Sequence, residues 1–169
     1  DAHRTSTADG DYWWYSSEPA DAIAVHNTSA LLAMAHDALA EATGDSAHAD
    51  QARRSTDFLW ARLRGNPTTG YAWNYADDGY PSGLRRAEDS SHALVTLQVM
   101  ALAGRRGWWA ENRIRGVSRT MLGNLFAGNP ARLNGRVDGT SGGDNEWTWT
   151  RASVIGFGAH GDIPGADPE

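Results

Sequence analysis

Residues 30–59 read ALLAMAHDALAEATGDSAHADQARRSTDFL, and the fold prediction starts from this stretch. Alanine and leucine recur at helical spacing before Gly44, and a glycine in that position is typical of a helix end. Asp45 or Ser46 can then cap a following helix through a side-chain oxygen. The stretch therefore predicts two consecutive helices joined by a short turn, the first covering about residues 27–43.

Each predicted helix carries an apolar stripe at helical spacing, which is typical of a face packed on a core. In the first helix the stripe consists of Leu31, Ala35, Ala38 and Leu39. In the second helix it consists of Ala49, Ala52, Thr56, Leu59 and Leu63. A third helix is expected over about Ser90 to Gly104, with Leu94, Leu97, Ala101 and Leu102. A fourth is expected to begin near Trp108, with Ile114, Val117, Met121 and Leu125.

The helical pattern recurs when the sequence is shifted by 63 residues. Gly44 then falls on Gly107, and the tripeptide at 65–67 falls on the identical tripeptide at 128–130. A period of this length is typical of stacked two-helix units. We therefore predict an all-α chain of repeated antiparallel helical hairpins, with long loops that can contain short β-hairpins. The domain prediction is a polar, partly aromatic lead-in over residues 1–19 and a helical domain of about two and a half repeats over 20–169.

The stretch at residues 30–59 is similar to the hairpins of secreted bacterial (α/α)-toroid carbohydrate-active enzymes. A second segment, AEDSSHALV at residues 87–95, resembles the opening of an inner helix in toroid proteins related to polysaccharide lyases and uronate-modifying enzymes. The resemblance implies a partial (α/α)-toroid, a secreted or extracytoplasmic location and an oligo- or polysaccharide as partner. Because a full toroid has about twice as many hairpins, it also implies completion by a homo-oligomeric partner or a missing segment.

Composition excludes several other classes of function. The net charge of −6 argues against nucleic acid, because binding to it depends on neutralising phosphates. No apolar run approaches the roughly 18 residues that a membrane span needs. Cysteine and lysine are both absent, which excludes disulfides, thiolate chemistry and Schiff bases.

The long loops precede the inner helices, so the repeat places them at one end of the predicted fold, where functional residues tend to gather. The residues expected there to bind carbohydrate are arginines, amides and tryptophans: Arg85, Arg86, Arg136, Asn27, Asn74, Trp13, Trp14, Trp73, Trp147 and Trp149. The residues expected to take part in catalysis can exchange protons: His92, Tyr71, Tyr75, Glu88, Asp89, His26 and Glu146. Among these, Asp89 also suits a helix cap, a role that Ser90 could fill instead.

The leading hypothesis is β-elimination or C5 epimerisation on a uronate-containing polysaccharide. An arginine would neutralise the substrate carboxylate, for which its planar guanidinium is well shaped. His92 or His26 would take the C5 proton, and a tyrosine at 71 or 75 would act as base or acid.

Two alternatives remain open at this point. A glycoside hydrolase would use Glu88 or Asp89 as the acid. The base would be Glu146, or alternatively Asp144 or Asp138. A non-catalytic binding or scaffold domain would use its tryptophans to stack on sugar rings. No cofactor is expected, and the only metal considered is Ca²⁺ on loop carboxylates. His36 and His48 are expected to be solvated.

Overall fold

The computed structural model describes residues 3–18, 23–77, 86–125 and 134–140. Within these residues it contains four α-helices and two small antiparallel sheets. In chain order the elements are β1 (Arg4–Thr7), β2 (Gly10–Trp13), α1 (His26–Thr43), α2 (Ser46–Trp60), β3 (Arg64–Asn66), β4 (Gly70–Ala72), α3 (Ser90–Arg105) and α4 (Glu111–Arg119), which continues as a π-helical segment (Thr120–Leu125). The prediction of a repeated all-α toroid is therefore wrong, and the chain has a small mixed α/β fold.

The chain divides into two compact units. Unit 1 consists of Asp1–Arg62 and Asn74–Arg86, and unit 2 of Leu63–Trp73 and Ala87–Glu169. Each unit begins with a two-stranded hairpin and continues with two helices. None of the described helices is both long and apolar enough to cross a membrane.

In unit 1 the β1–β2 hairpin packs directly on α2. Gly10 has a φ of 135°, and a Cβ at this position would lie 2.2 Å from the carbonyl oxygen of Arg54. Only glycine permits this approach, and it brings Tyr12 within 4.9 Å of Phe58, measured between ring centroids. The polar lead-in predicted over residues 1–19 therefore contains a paired hairpin, which the polar sequence of β1 does not reveal because the hairpin packs on α2.

The turn between the two helices of unit 1 lies where the sequence predicts it, but α2 ends at Trp60, before Leu63 of the predicted stripe, and α1 buries another face. Gly44 ends α1 in the left-handed conformation, and the Asp45 side chain caps α2 by accepting from the Ala47 N–H. The stripe predicted to face the core is largely exposed, with Leu31 at 57% and Leu39 at 45% exposure. The buried face instead carries small and polar residues: His26, Ser29, Ala30, Ala33 and Asp37. Small residues allow α1 and its neighbours to approach closely. A prediction based on large apolar residues therefore selects the wrong face of this helix.

Unit 2 buries the faces that the sequence predicts. Ile114, Val117, Met121 and Leu125 are all at most 5% exposed. The β3–β4 hairpin lies against α4, where the Tyr71 ring lies so close to Gly116 that a Cβ there would be 2.3 Å from Cε2. The short β-hairpins expected in the long loops are represented by β3–β4, and in residues 134–140 the structure has a single bridge, Asp89 to Arg136.

Candidate functional site

The start of α3 is organised by Asp89. This residue is the N-cap, and its Oδ1 accepts hydrogen bonds from the N–H groups of Ser91 at 3.2 Å and His92 at 3.1 Å. The side chain thus supplies acceptors for donors that a helix start leaves unpaired. The prediction that Asp89 caps this helix is confirmed.

The second oxygen of Asp89 holds the imidazole of His92. The distance from Asp89 Oδ2 to His92 Nδ1 is 2.7 Å. The His92 side chain is 46% exposed, whereas that of Asp89 is 19% exposed. Because Nδ1 donates to the carboxylate, the neutral ring keeps its lone pair on Nε2. Burial raises the pKa of Asp89, but the hydrogen bonds from Ser91 and His92 outweigh it and keep that pKa below its ordinary value.

Behind this pair lies a buried carboxyl group, Glu88. It is 0% exposed, and the Trp73 indole Nε1–H donates to its Oε2. Burial raises the pKa of Glu88 from its ordinary value of 4.5 to about 8, although the Trp73 hydrogen bond acts in the opposite direction. Glu88 therefore carries a proton at neutral pH and adds no negative charge beside Asp89.

Residues 135–137 complete the described surroundings of the α3 start. The Ser90 N–H donates to the Gly135 carbonyl at 2.9 Å. The Arg136 guanidinium, 9% exposed, donates to the Ala87 carbonyl at 2.7 Å. Unit 2 thus brings together five residues that the sequence nominated: Trp73, Glu88, Asp89, His92 and Arg136.

Unit 1 contains a second histidine–aspartate contact, in which His26 is buried. His26 Nε2 lies 2.8 Å from Asp77 Oδ1, and the Arg62 guanidinium bonds the same carboxylate through Nε and NH2. Burial raises the pKa of Asp77, but His26 and Arg62 outweigh it and keep that pKa below its ordinary value. Arg62 also lies over the Phe58 ring, 3.4 Å from its centroid. Sequence reasoning nominated His26 but neither Asp77 nor Arg62, because a contact across 51 residues leaves no local signal.

The remaining nominated residues that the structure describes lie mostly in unit 1, where the Tyr75 carbonyl accepts a hydrogen bond from the His26 N–H at 3.0 Å. Unit 1 holds six of them: Trp13, Trp14, Asn27, Asn74, Tyr75 and Arg86. Trp13 and Trp73 are 6% and 1% exposed, so neither presents an open ring face to a sugar. Tyr71 in unit 2 is buried against α4, and burial raises its pKa, an effect that Arg113 partly offsets. Arg85, Asp144, Glu146, Trp147 and Trp149 lie outside the described residues.

Among the residues that the structure describes, no group of three or more His, Asp or Glu side chains is placed to hold a metal ion. Comparison with known proteins gives no further assignment, because no family model, curated protein or solved structure matches the chain.

Proposed function

We propose that the start of α3 is an acid–base site that acts on a uronate-containing polysaccharide, with His92 as the general base. The observation that carries this proposal is the 2.7 Å contact between Asp89 Oδ2 and an exposed His92 ring. The carboxylate fixes the tautomer and stabilises the imidazolium formed when the ring takes a proton. Asp89 acts through His92 and is therefore a positioning residue.

The proposed reaction begins with transfer of the C5 proton of a uronate to His92 Nε2. In β-elimination, the C5 electron pair forms a C4–C5 double bond, the C4–O bond breaks, the leaving oxygen takes up a proton from solvent, and His92 releases its proton to solvent. In epimerisation, solvent supplies a proton to C5 from the opposite face, and His92 again releases its proton to solvent. Both outcomes share the first transfer, so a measurement of that transfer tests both.

Arg136 lies beside the α3 start through its bridge with Asp89. The residue is 9% exposed and its Nη1 donates to the Ala87 carbonyl, so like Glu88 it supports the start of α3 from within. The uronate preference in the proposal comes from the resemblance of residues 87–95 to toroid proteins related to uronate-modifying enzymes.

Glu88 supports the site from behind and does not contact substrate in this arrangement. Its side chain is fully buried, so a direct proton transfer to a glycosidic oxygen has no route. The hydrolase alternative, which needs Glu88 or Asp89 paired with a residue such as Glu146, gains no support from the described residues. We therefore favour proton abstraction at carbon.

The decisive test is exchange of the C5 hydrogen with solvent. The full chain is incubated in D₂O with glucuronan, alginate or heparosan, and deuterium at C5 is measured by NMR together with the absorbance of unsaturated uronates. His92→Gln is expected to lower the exchange rate by about 100-fold or more, and Asp89→Asn by a smaller factor with an altered pH profile.

Glu111→Gln is the matched control, since Glu111 is an exposed carboxylate in the same unit that pairs with its helical neighbour Arg115. It is expected to keep the full rate. Absence of both C5 exchange and unsaturated uronates with every polymer, or an unchanged rate in His92→Gln, would refute the proposal. Binding of a polymer without exchange or elimination would support the non-catalytic alternative instead.

A further inference from the structure

The two helices of unit 1 bring a pair of histidines together at a point that the proposed function does not use. His36 lies on α1 and His48 in the first turn of α2. Their Nδ1 atoms are 2.9 Å apart, and their ring centroids are 5.1 Å apart. Both rings are half-buried, so the expectation that they are solvated is met only in part. Two Nδ1 atoms at this distance can share only one proton between them.

Neighbouring groups hold the His36 ring in place. Trp13 of β2 stacks on it with 5.3 Å between ring centroids and an interplanar angle of 26°. The turn between the helices is fixed by the left-handed Gly44 and by the Asp45 cap. A neutral imidazole with a fixed orientation is the form that binds metals.

We propose that His36 and His48 together bind a late first-row divalent metal ion, and Cu²⁺ in preference to the others. Imidazole nitrogens bind such ions at about 2.0–2.1 Å, so the two Nδ1 atoms lie within the span that one ion can bridge. Cu²⁺ stands highest in the affinity order of these ions. Solvent would supply the other ligands. This site is independent of the proposed acid–base chemistry.

A metal bound here would join α1 to α2 across their turn. Because the unfolded chain does not hold the two rings together, binding would stabilise the folded state by mass action. The two histidines are 12 positions apart in sequence, so the ion would close a short loop. The expected consequence is a melting temperature that rises with copper concentration.

The test uses the full chain with His3→Gln as the parent protein, which removes another histidine of unit 1 that could bind copper. Calorimetric titration with CuCl₂ is expected to show one ion per chain bound with micromolar affinity. Electron paramagnetic resonance is expected to show nitrogen ligands in a tetragonal field. His36→Gln and His48→Gln should each weaken binding by about tenfold or more and remove the copper-dependent rise in melting temperature.

His92→Gln in the same parent is the matched control, and its copper affinity should be unchanged. Circular dichroism without copper establishes that each histidine variant is folded. If only one of His36→Gln and His48→Gln folds, its copper affinity alone decides whether the pair binds the ion. Equal affinity in the parent and in both variants, or no binding by the parent, would overturn the proposal. The pair would then be an ordinary hydrogen bond only.

Discussion

The starts of α1 and α3 each contain a histidine bonded to an aspartate, but in opposite surroundings. His26 at the start of α1 is 1% exposed and lies 2.8 Å from Asp77. His92 in the first turn of α3 has a 46% exposed side chain and lies 2.7 Å from Asp89. The contact distances are nearly equal, so distance alone does not distinguish a structural contact from a candidate base. Access to the ring does, because a buried imidazole cannot take a proton from a polymer.

The third partner of each pair reinforces this difference. Arg62 neutralises Asp77 in unit 1, which turns the contact into a compact ion network. In unit 2 the neighbour of Asp89 is Glu88, whose carboxyl group is protonated at neutral pH. The Asp89 carboxylate therefore interacts with His92 and with N–H groups at the helix start. We expect the His26–Asp77–Arg62 network to contribute mainly to stability and the Asp89–His92 pair to contribute to proton transfer.

The largest expected effect on stability comes from Glu88. Its pKa is raised in the folded state, so the folded protein retains a proton that the unfolded chain loses above about pH 4.5. Stability is thus fully present below pH 4.5 and falls as the pH rises toward 8, by up to about 1.4 kcal/mol per pH unit. Glu88→Gln keeps the shape, removes the titration and should become several kcal/mol more stable than the wild type above pH 8.

The measurement is urea unfolding between pH 5 and 9, with Glu111→Gln as a control that should follow the wild-type pH profile. Amide hydrogen exchange in α3 would show that the effect arises in unit 2. Parallel pH profiles for wild type and Glu88→Gln would contradict the buried, protonated state of Glu88.

A smaller loss, with the opposite pH dependence, is expected from Asp77 in unit 1. Asp77→Asn removes the carboxylate that Arg62 and His26 share, and should lower the free energy of unfolding by about 2 kcal/mol at pH 7. Because the pKa of Asp77 is lowered in the fold, its contribution is present above pH 3.8 and disappears as the pH falls through the folded value. Denaturant unfolding at pH 7 and pH 3 measures the loss in free energy of unfolding and its dependence on pH. Asp50→Asn, an exposed site on α2, should change stability little, and an equal effect at the two sites would contradict the network.

Local signals explain what the sequence predicts correctly. Gly44, Asp45 and Asp89 act on backbone groups within four residues, and the helix ends that they mark agree with the structure. The Asp89–His92 contact likewise joins residues three apart. One short segment of sequence therefore contains both the cap and the proposed base.

Long-range contacts explain what the sequence leaves out. The strands β1 and β3 are three or four residues long and polar, and their pairing depends on packing such as Gly10 against Arg54. The burial of Glu88 requires Trp73, which lies fifteen positions away. The all-α prediction is wrong because helical periodicity is strong in single segments, whereas short strands acquire their stability from tertiary contacts.

The smallest expected effect tests the face of α1 that the sequence places in the core. Leu31 is 57% exposed in unit 1, so Leu31→Gln should change the free energy of unfolding by no more than about 0.5 kcal/mol. Leu97 of α3 is 3% exposed, and Leu97→Ala should cost about 2–5 kcal/mol. Thermal and urea unfolding of both variants give the comparison directly. A loss at Leu31 as large as that at Leu97 would mean that the α1 face is covered in solution. That result would revive the prediction that a second copy or a further segment completes the structure.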